Sequence, residues 1–172
     1  MTKLDELKER LPDHARDLRI NLGVIGSSTA LSPQQAWTIA LTSAATTRNR
    51  DLIAAVEADA ASHLEPKALE AARGAAAIMG MNNVYYRFVH FMGESSEYGH
   101  MPARLRMQVI GNPGIDKLDF ELACLAASAI TGCETCVRSH EKAVRERSGT
   151  KEQVQDAVRI AAVLNGVAVA LA

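Results

Sequence analysis

The chain has 172 residues and nearly balanced charge, 19 Lys and Arg against 20 Asp and Glu, so it can bury a sizeable core and offers no basic surface for nucleic acid or anionic lipid. Three cysteines, few and odd in number, do not make a secreted disulfide framework. The charged N-terminal stretch MTKLDELKERLPDHARDLRI has no apolar signal core, and charges interrupt every alanine-rich stretch before it could span a membrane; the expectation is a cytoplasmic protein.

Alanine and leucine dominate, aromatics are 4%, and no segment alternates with period two, so the fold expected is all-α, a single domain over 1–172. Leu4, Leu7 and Leu11 form one stripe before Pro12 closes a first short helix. A second helix is expected from Asp13 to about Leu22, then a loop from Gly23 to Leu31. Ser32-Pro33-Gln34-Gln35 is a start signal, with a serine cap, proline at the first helical position and glutamine at the third. The helix it opens should run to about Thr47, and another from about Asn49 to Ala61. Glu65-Pro66 opens the next, which reaches at least Met79 and extends toward Phe91. Residues 93–115, rich in glycine, proline and serine, should be the longest irregular connection, with a helical turn around Arg104 to Val109. Asp116 then caps a helix running to Ile130, and Thr150 with Gln153 caps a last one through about Val169.

Between those last two helices lies the chemistry. Cys133-x-x-Cys136 can close into a small ring, His140 stands four residues beyond the second sulfur, and Glu121 twelve before the first. Thr131 and Glu134 have the spacing of a capping box, which would start a helix at about Gly132 and put both thiols in its first two turns, where free N–H groups favour a thiolate. Cys133 would be nearer that end, whereas Cys136 and His140, spaced i and i+4, would share a face. One straight helix would leave Glu121 about 18 Å from Cys133. A fold-back near Gly132 would bring Glu121 and His140, roughly 16 and 12 Å along the two arms, to similar height. The expectation is a helix break at the glycine and a line from Glu121 through His140 to Cys136, with room for a bridging water.

A shift of 84 residues lays Trp37–Val56 over Glu121–His140, and ALEAARGAAAIMG lies over the last helix at 84 or 85. This suggests internal duplication into two pseudo-symmetric helical units, 32–92 without the reactive residues and 116–172 carrying them. Trp37, Asn49, Leu52 and Val56 stand in the first copy where Glu121, Cys133, Cys136 and His140 stand in the second.

The Glu-x11-Cys-x-x-Cys-x3-His pattern, together with IMGMNNVYYR at 78–87 and LRMQVIGNPGI at 105–115, resembles the carboxymuconolactone decarboxylase-like superfamily and, within it, the lipoyl-dependent peroxidases, over nearly the whole chain. The resemblance implies a duplicated all-α fold, a homotrimer and reduction of alkyl hydroperoxides. It implies Cys136 as the peroxidatic thiol that passes through a sulfenic acid, Cys133 as the resolving thiol and proton donor that closes the disulfide with it, and Glu121 and His140 as a proton relay. It further implies no metal or bound organic cofactor, dihydrolipoamide as external reductant, a lipoylated dihydrolipoyl acyltransferase as its carrier, and support of a partner peroxiredoxin, alkyl hydroperoxide reductase C. Close relatives carry a histidine just before the second cysteine; here that residue is Thr135, which is no general base near neutral pH.

Other readings carry less weight. A zinc site lacks a second CxxC or paired histidines, and a thioredoxin fold lacks strands. A dithiol redox sensor or interaction protein of the same fold remains the alternative, as does a decarboxylase-type enzyme, against which the cysteine pair argues. Cys124 reads as a small core residue, His14, His63, His90 and His100 as surface or satisfied histidines, and the charges from Asp51 to Glu65 as a solvated face. Met79, Met81, Met92, Tyr85, Tyr86, Phe88 and Phe91 read as core or subunit contact rather than a substrate pocket.

Overall fold

In a computed structural model that describes residues 1–93 and 95–172, the chain is all-α, with no strand among the described residues. Its helices are α1 (Lys3–Glu9), α2 (Arg16–Asn21), α3 (Val24–Ser27), α4 (Pro33–Thr47), α5 (Arg50–Ala60), α6 (Pro66–Met92), α7 (Glu97–His100), α8 (Gln108–Gly111), α9 (Lys117–Thr131), α10 (Glu134–Glu146) and α11 (Lys151–Ala170), with a 3₁₀ turn over Asp13–Ala15. None is long and apolar enough to cross a membrane among the described residues.

The strong start signals act as the sequence implies. Ser32 accepts from the Gln35 N–H and Gln35 returns the bond to the Ser32 N–H, and Thr150 and Gln153 do the same for α11. Asp116 accepts from the Leu118 and Asp119 N–H groups at the head of α9. Three expectations change. The stretch 23–31 is not all loop, because Ile25 is buried and α3 packs it toward α11. The helical turn expected around 104–109 falls later, at α8, since Arg104 is left-handed (φ +52°) and cannot join it. Thr131 does not cap α10. It is the last residue of α9 and its hydroxyl bonds back to the Ala127 and Ser128 carbonyls, while Cys133 takes the cap position.

Four long helices, α4, α6, α9 and α11, make the centre: α4 and α9 pack on each other and each packs on both α6 and α11. Ile39, Leu41, Leu122, Leu125, Ile160 and Leu164 are fully buried there, each burial worth about 1.5–3 kcal/mol against exposure. Helices α5 and α10 fold back on α4 and α9, and α1 covers α5, its free Lys3 and Leu4 N–H groups donating to the Asp59 carboxylate. The starts of α4 and α9 are 84 residues apart, as are those of α5 and α10, and those of α6 and α11 are 85 apart, the order a duplicated chain would have. Gln35 and Asp119, also 84 apart, hydrogen-bond to each other across the centre at 2.8 Å.

Candidate functional site

Gly132 ends α9 in the left-handed conformation (φ +68°), which turns the chain back after one further residue. The turn is fastened to α6: the Asn83 amide donates to the Thr131 hydroxyl (2.8 Å) and Arg87 to the Thr131 carbonyl (2.6 Å). The break expected at the glycine is therefore present, and α9 and α10 form a hairpin.

Cys133 caps α10, its sulfur accepting from the Cys136 N–H at 3.3 Å. The two cysteines are disulfide-bonded, with Cα atoms 5.3 Å apart. Cys133 is fully enclosed, whereas Cys136 is 6% exposed and lines a cavity of about 400 Å³ between α6, α8, α9 and α10. Buried Cys136, His140 and Val144 recur every four residues along α10, so the stripe that packs this helix is also the one that carries its reactive groups.

His140 and Glu121 meet directly, Nδ1 to Oε2 at 2.7 Å, with no water needed between them. Both are buried, and Lys117 Nζ stands 3.9 Å from the second glutamate oxygen. A carboxylate only accepts, so Nδ1 carries a proton and Nε2 is the nitrogen left to gain or lose one. Nε2 lies 3.2 Å from Met79 Sδ. Among the described residues Glu121 is thus the imidazole's hydrogen-bond partner, and Met79, whose thioether can only accept, is a close contact of the unprotonated Nε2; the expected last link to Cys136 is not a hydrogen bond in this disulfide form, and the two side chains instead share the cavity wall.

The remaining side chains fall into place around these. Thr135 is exposed and lines the same cavity. Cys124 is completely buried, and burial, reinforced by the Glu121 charge, pushes its thiol well above the ordinary value. His63 stacks on Trp37 with centroids 4.7 Å apart, and His90 lies 3.5 Å from Glu134. Met79 is the core residue expected, fully buried in an apolar cluster, and it also lines the cavity with Cys136; Tyr86 lines that cavity too, as do Met107 and Ile110 of the α8 region. Met79 and Tyr86 are seven apart on α6, a helical repeat with one face, but nothing in that spacing distinguishes a core from a cavity wall. Phe88, Phe91 and Met92, by contrast, are exposed.

Comparison with known proteins bears on the whole chain. A family model described as the carboxymuconolactone decarboxylase family matches residues 96–172, which hold the α9–α10 hairpin. The chain is 55% identical over 168 residues to a protein named alkyl hydroperoxide reductase AhpD from Gluconacetobacter diazotrophicus, covering 98% of this chain and 92% of the relative. The chain belongs to the AhpD group of the carboxymuconolactone decarboxylase family. Other AhpD-named relatives agree: one from Rhodospirillum centenum is 52% identical over 98% of this chain and 90% of its own length, and one from Anaeromyxobacter dehalogenans is 52% identical over 99% and 91%. AhpD membership thus extends through α4 and α5, beyond the segment that the family model matches.

Proposed function

We propose that the chain is an alkyl hydroperoxide reductase working through a Cys133/Cys136 dithiol–disulfide cycle. The observation that carries this reading is a buried His140–Glu121 pair opening onto the same cavity as the one accessible sulfur of a closed CxxC; the names of its relatives support it.

In the cycle, His140 Nε2 takes the Cys136 proton while Glu121 holds the imidazole by Nδ1. The thiolate attacks the terminal peroxide oxygen, the O–O bond breaks, and the alkoxide leaves as an alcohol after receiving a proton. Cys136 is now a sulfenic acid, two electrons poorer. Cys133, as the resolving thiol, gives up its proton and condenses with it, releasing water and closing the disulfide before further oxidation. Dihydrolipoamide reopens the pair by exchange, its own oxidation ending in a stable ring. Delivery by a lipoylated dihydrolipoyl acyltransferase, support of the peroxiredoxin alkyl hydroperoxide reductase C, and a cytoplasmic setting belong to the same reading. So does a homotrimer, for which the exposed apolar end of α6 (Val84, Phe88, Phe91) offers a surface.

Steady consumption of cumene hydroperoxide with dihydrolipoamide as the electron donor tests this. Wild type should turn over many times and Cys136→Ser should fall to background. A single oxidation per chain without turnover would indicate a redox sensor instead.

A further inference from the structure

Helix α6 carries two adjacent asparagines with opposite fates, and only Asn82 lines the cavity. Asn83 is spent on the fold: its Nδ2 donates to Thr131 Oγ1 and its Oδ1 accepts from Ser128 Oγ at 3.2 Å. Asn82 is 4% exposed, lines the cavity beside Met79 and Tyr86, and its Oδ1 is buried with no hydrogen-bond partner among the described residues. The hydroxyls of Thr38 and Ser43 are also unpaired, but they lie inside α4, where a rotor can reach a carbonyl one turn back. An amide has no such local outlet. For folding alone, an apolar side chain of the same size would serve better at position 82.

The neighbours of that amide say what would satisfy it. Met79, Tyr86, Met107 and Ile110 make the wall largely apolar, and Cys136 and His140 border the same space. A hydroperoxide has the matching shape of chemistry, an apolar body with one O–H to donate. We infer that Asn82 is a positioning residue whose amide receives the O–H of an alkyl hydroperoxide, seating its O–O bond at Cys136 while the alkyl body lies on the Met79–Tyr86–Met107–Ile110 wall. This rests on the peroxidase reading above, and it makes bulky hydroperoxides, rather than hydrogen peroxide, the substrate class.

The test uses the fully reduced protein and measures disulfide formation after mixing with cumene hydroperoxide or hydrogen peroxide. Wild type should react at least about tenfold faster with the bulky substrate, and Asn82→Leu should lower that rate about tenfold. Alkylation of Cys136 by iodoacetamide, which needs the thiolate and not the amide, should change less than twofold, and the Tm of Asn82→Leu should be no lower than that of wild type. Asn82→Ser, which retains an acceptor, should recover part of the rate. An Asn82→Leu variant as fast as wild type would overturn the assignment, and so would one whose alkylation and Tm fall along with its peroxide rate. A wild type oxidised by neither peroxide would sink the peroxidase reading itself, and this inference with it.

Discussion

The α4–α5 and α9–α10 hairpins turn in the same way and have very different contents. Each first helix ends at a left-handed residue, Arg48 at φ +64° and Gly132 at φ +68°, and the next side chain caps the second helix by accepting from the N–H three residues on: Asn49 from Leu52, Cys133 from Cys136. Beyond the bend, Leu52 and Val56 are fully buried in the main apolar cluster, while Cys136 and His140 at the matching positions border a cavity. Trp37 stacks on His63 where Glu121 meets His140. The reactive centre and the inert hairpin thus share the same kind of bend and cap. What sets the α9–α10 hairpin apart is its four side chains and the cavity that α6 and α8 leave beside them.

That comparison can be broken most sharply at the acid. Glu121→Gln keeps the size and removes the charge, so kcat/KM for cumene hydroperoxide should fall about 100-fold, with the Cys136 alkylation rate falling in parallel. Unchanged rates would mean the pair is structural, as Trp37 and His63 are. The next largest effect belongs to the inert hairpin. Leu52→Ala leaves a hole in a fully buried site and should cost about 2–5 kcal/mol in urea unfolding, with activity per folded molecule preserved.

The two bends offer a smaller, paired test. Nothing lies within 4 Å of a Cβ built on Gly132, so Gly132→Ala meets only the backbone penalty and should destabilise by about 1–2 kcal/mol, while Arg48→Gly should be neutral or stabilise by up to about 1 kcal/mol. The smallest effect is expected at Cys124. Its thiol pKa is raised by burial, so the folded state holds the proton that the unfolded state gives up above about 9.0. Stability is then unaffected below that pH and declines as pH rises past it. Cys124→Ala should flatten that alkaline decline in denaturation series run from pH 7 to 10.

How much of this was legible in the sequence follows from the range of the forces involved. Ser32-Pro33, Asp116 and Thr150 announce their helices because a cap is settled within four residues. The fold-back that joins Glu121 to His140 was readable because a glycine and helical rise suffice to place both arms. Thr131 was misread for a related reason: its spacing to Glu134 fits a box, but Gly132 had already ended α9, and Glu134 pairs with Arg138 instead. Met79, Asn82 and Tyr86 could not be recognised as cavity residues, since their role depends on where α8 and α10 sit against α6, a long-range outcome with no local signature. The direct approach of His140 to Met79 belongs to the same class.

The unequal cover of the two sulfurs has a consequence for how the closed ring can be opened. Exchange requires the incoming thiolate to approach along the axis of the S–S bond, from behind the sulfur it attacks. Cys133 is fully buried while Cys136 borders the cavity, so the line of approach that this structure leaves to an outside thiolate ends at Cys136, with Cys133 as the leaving sulfur.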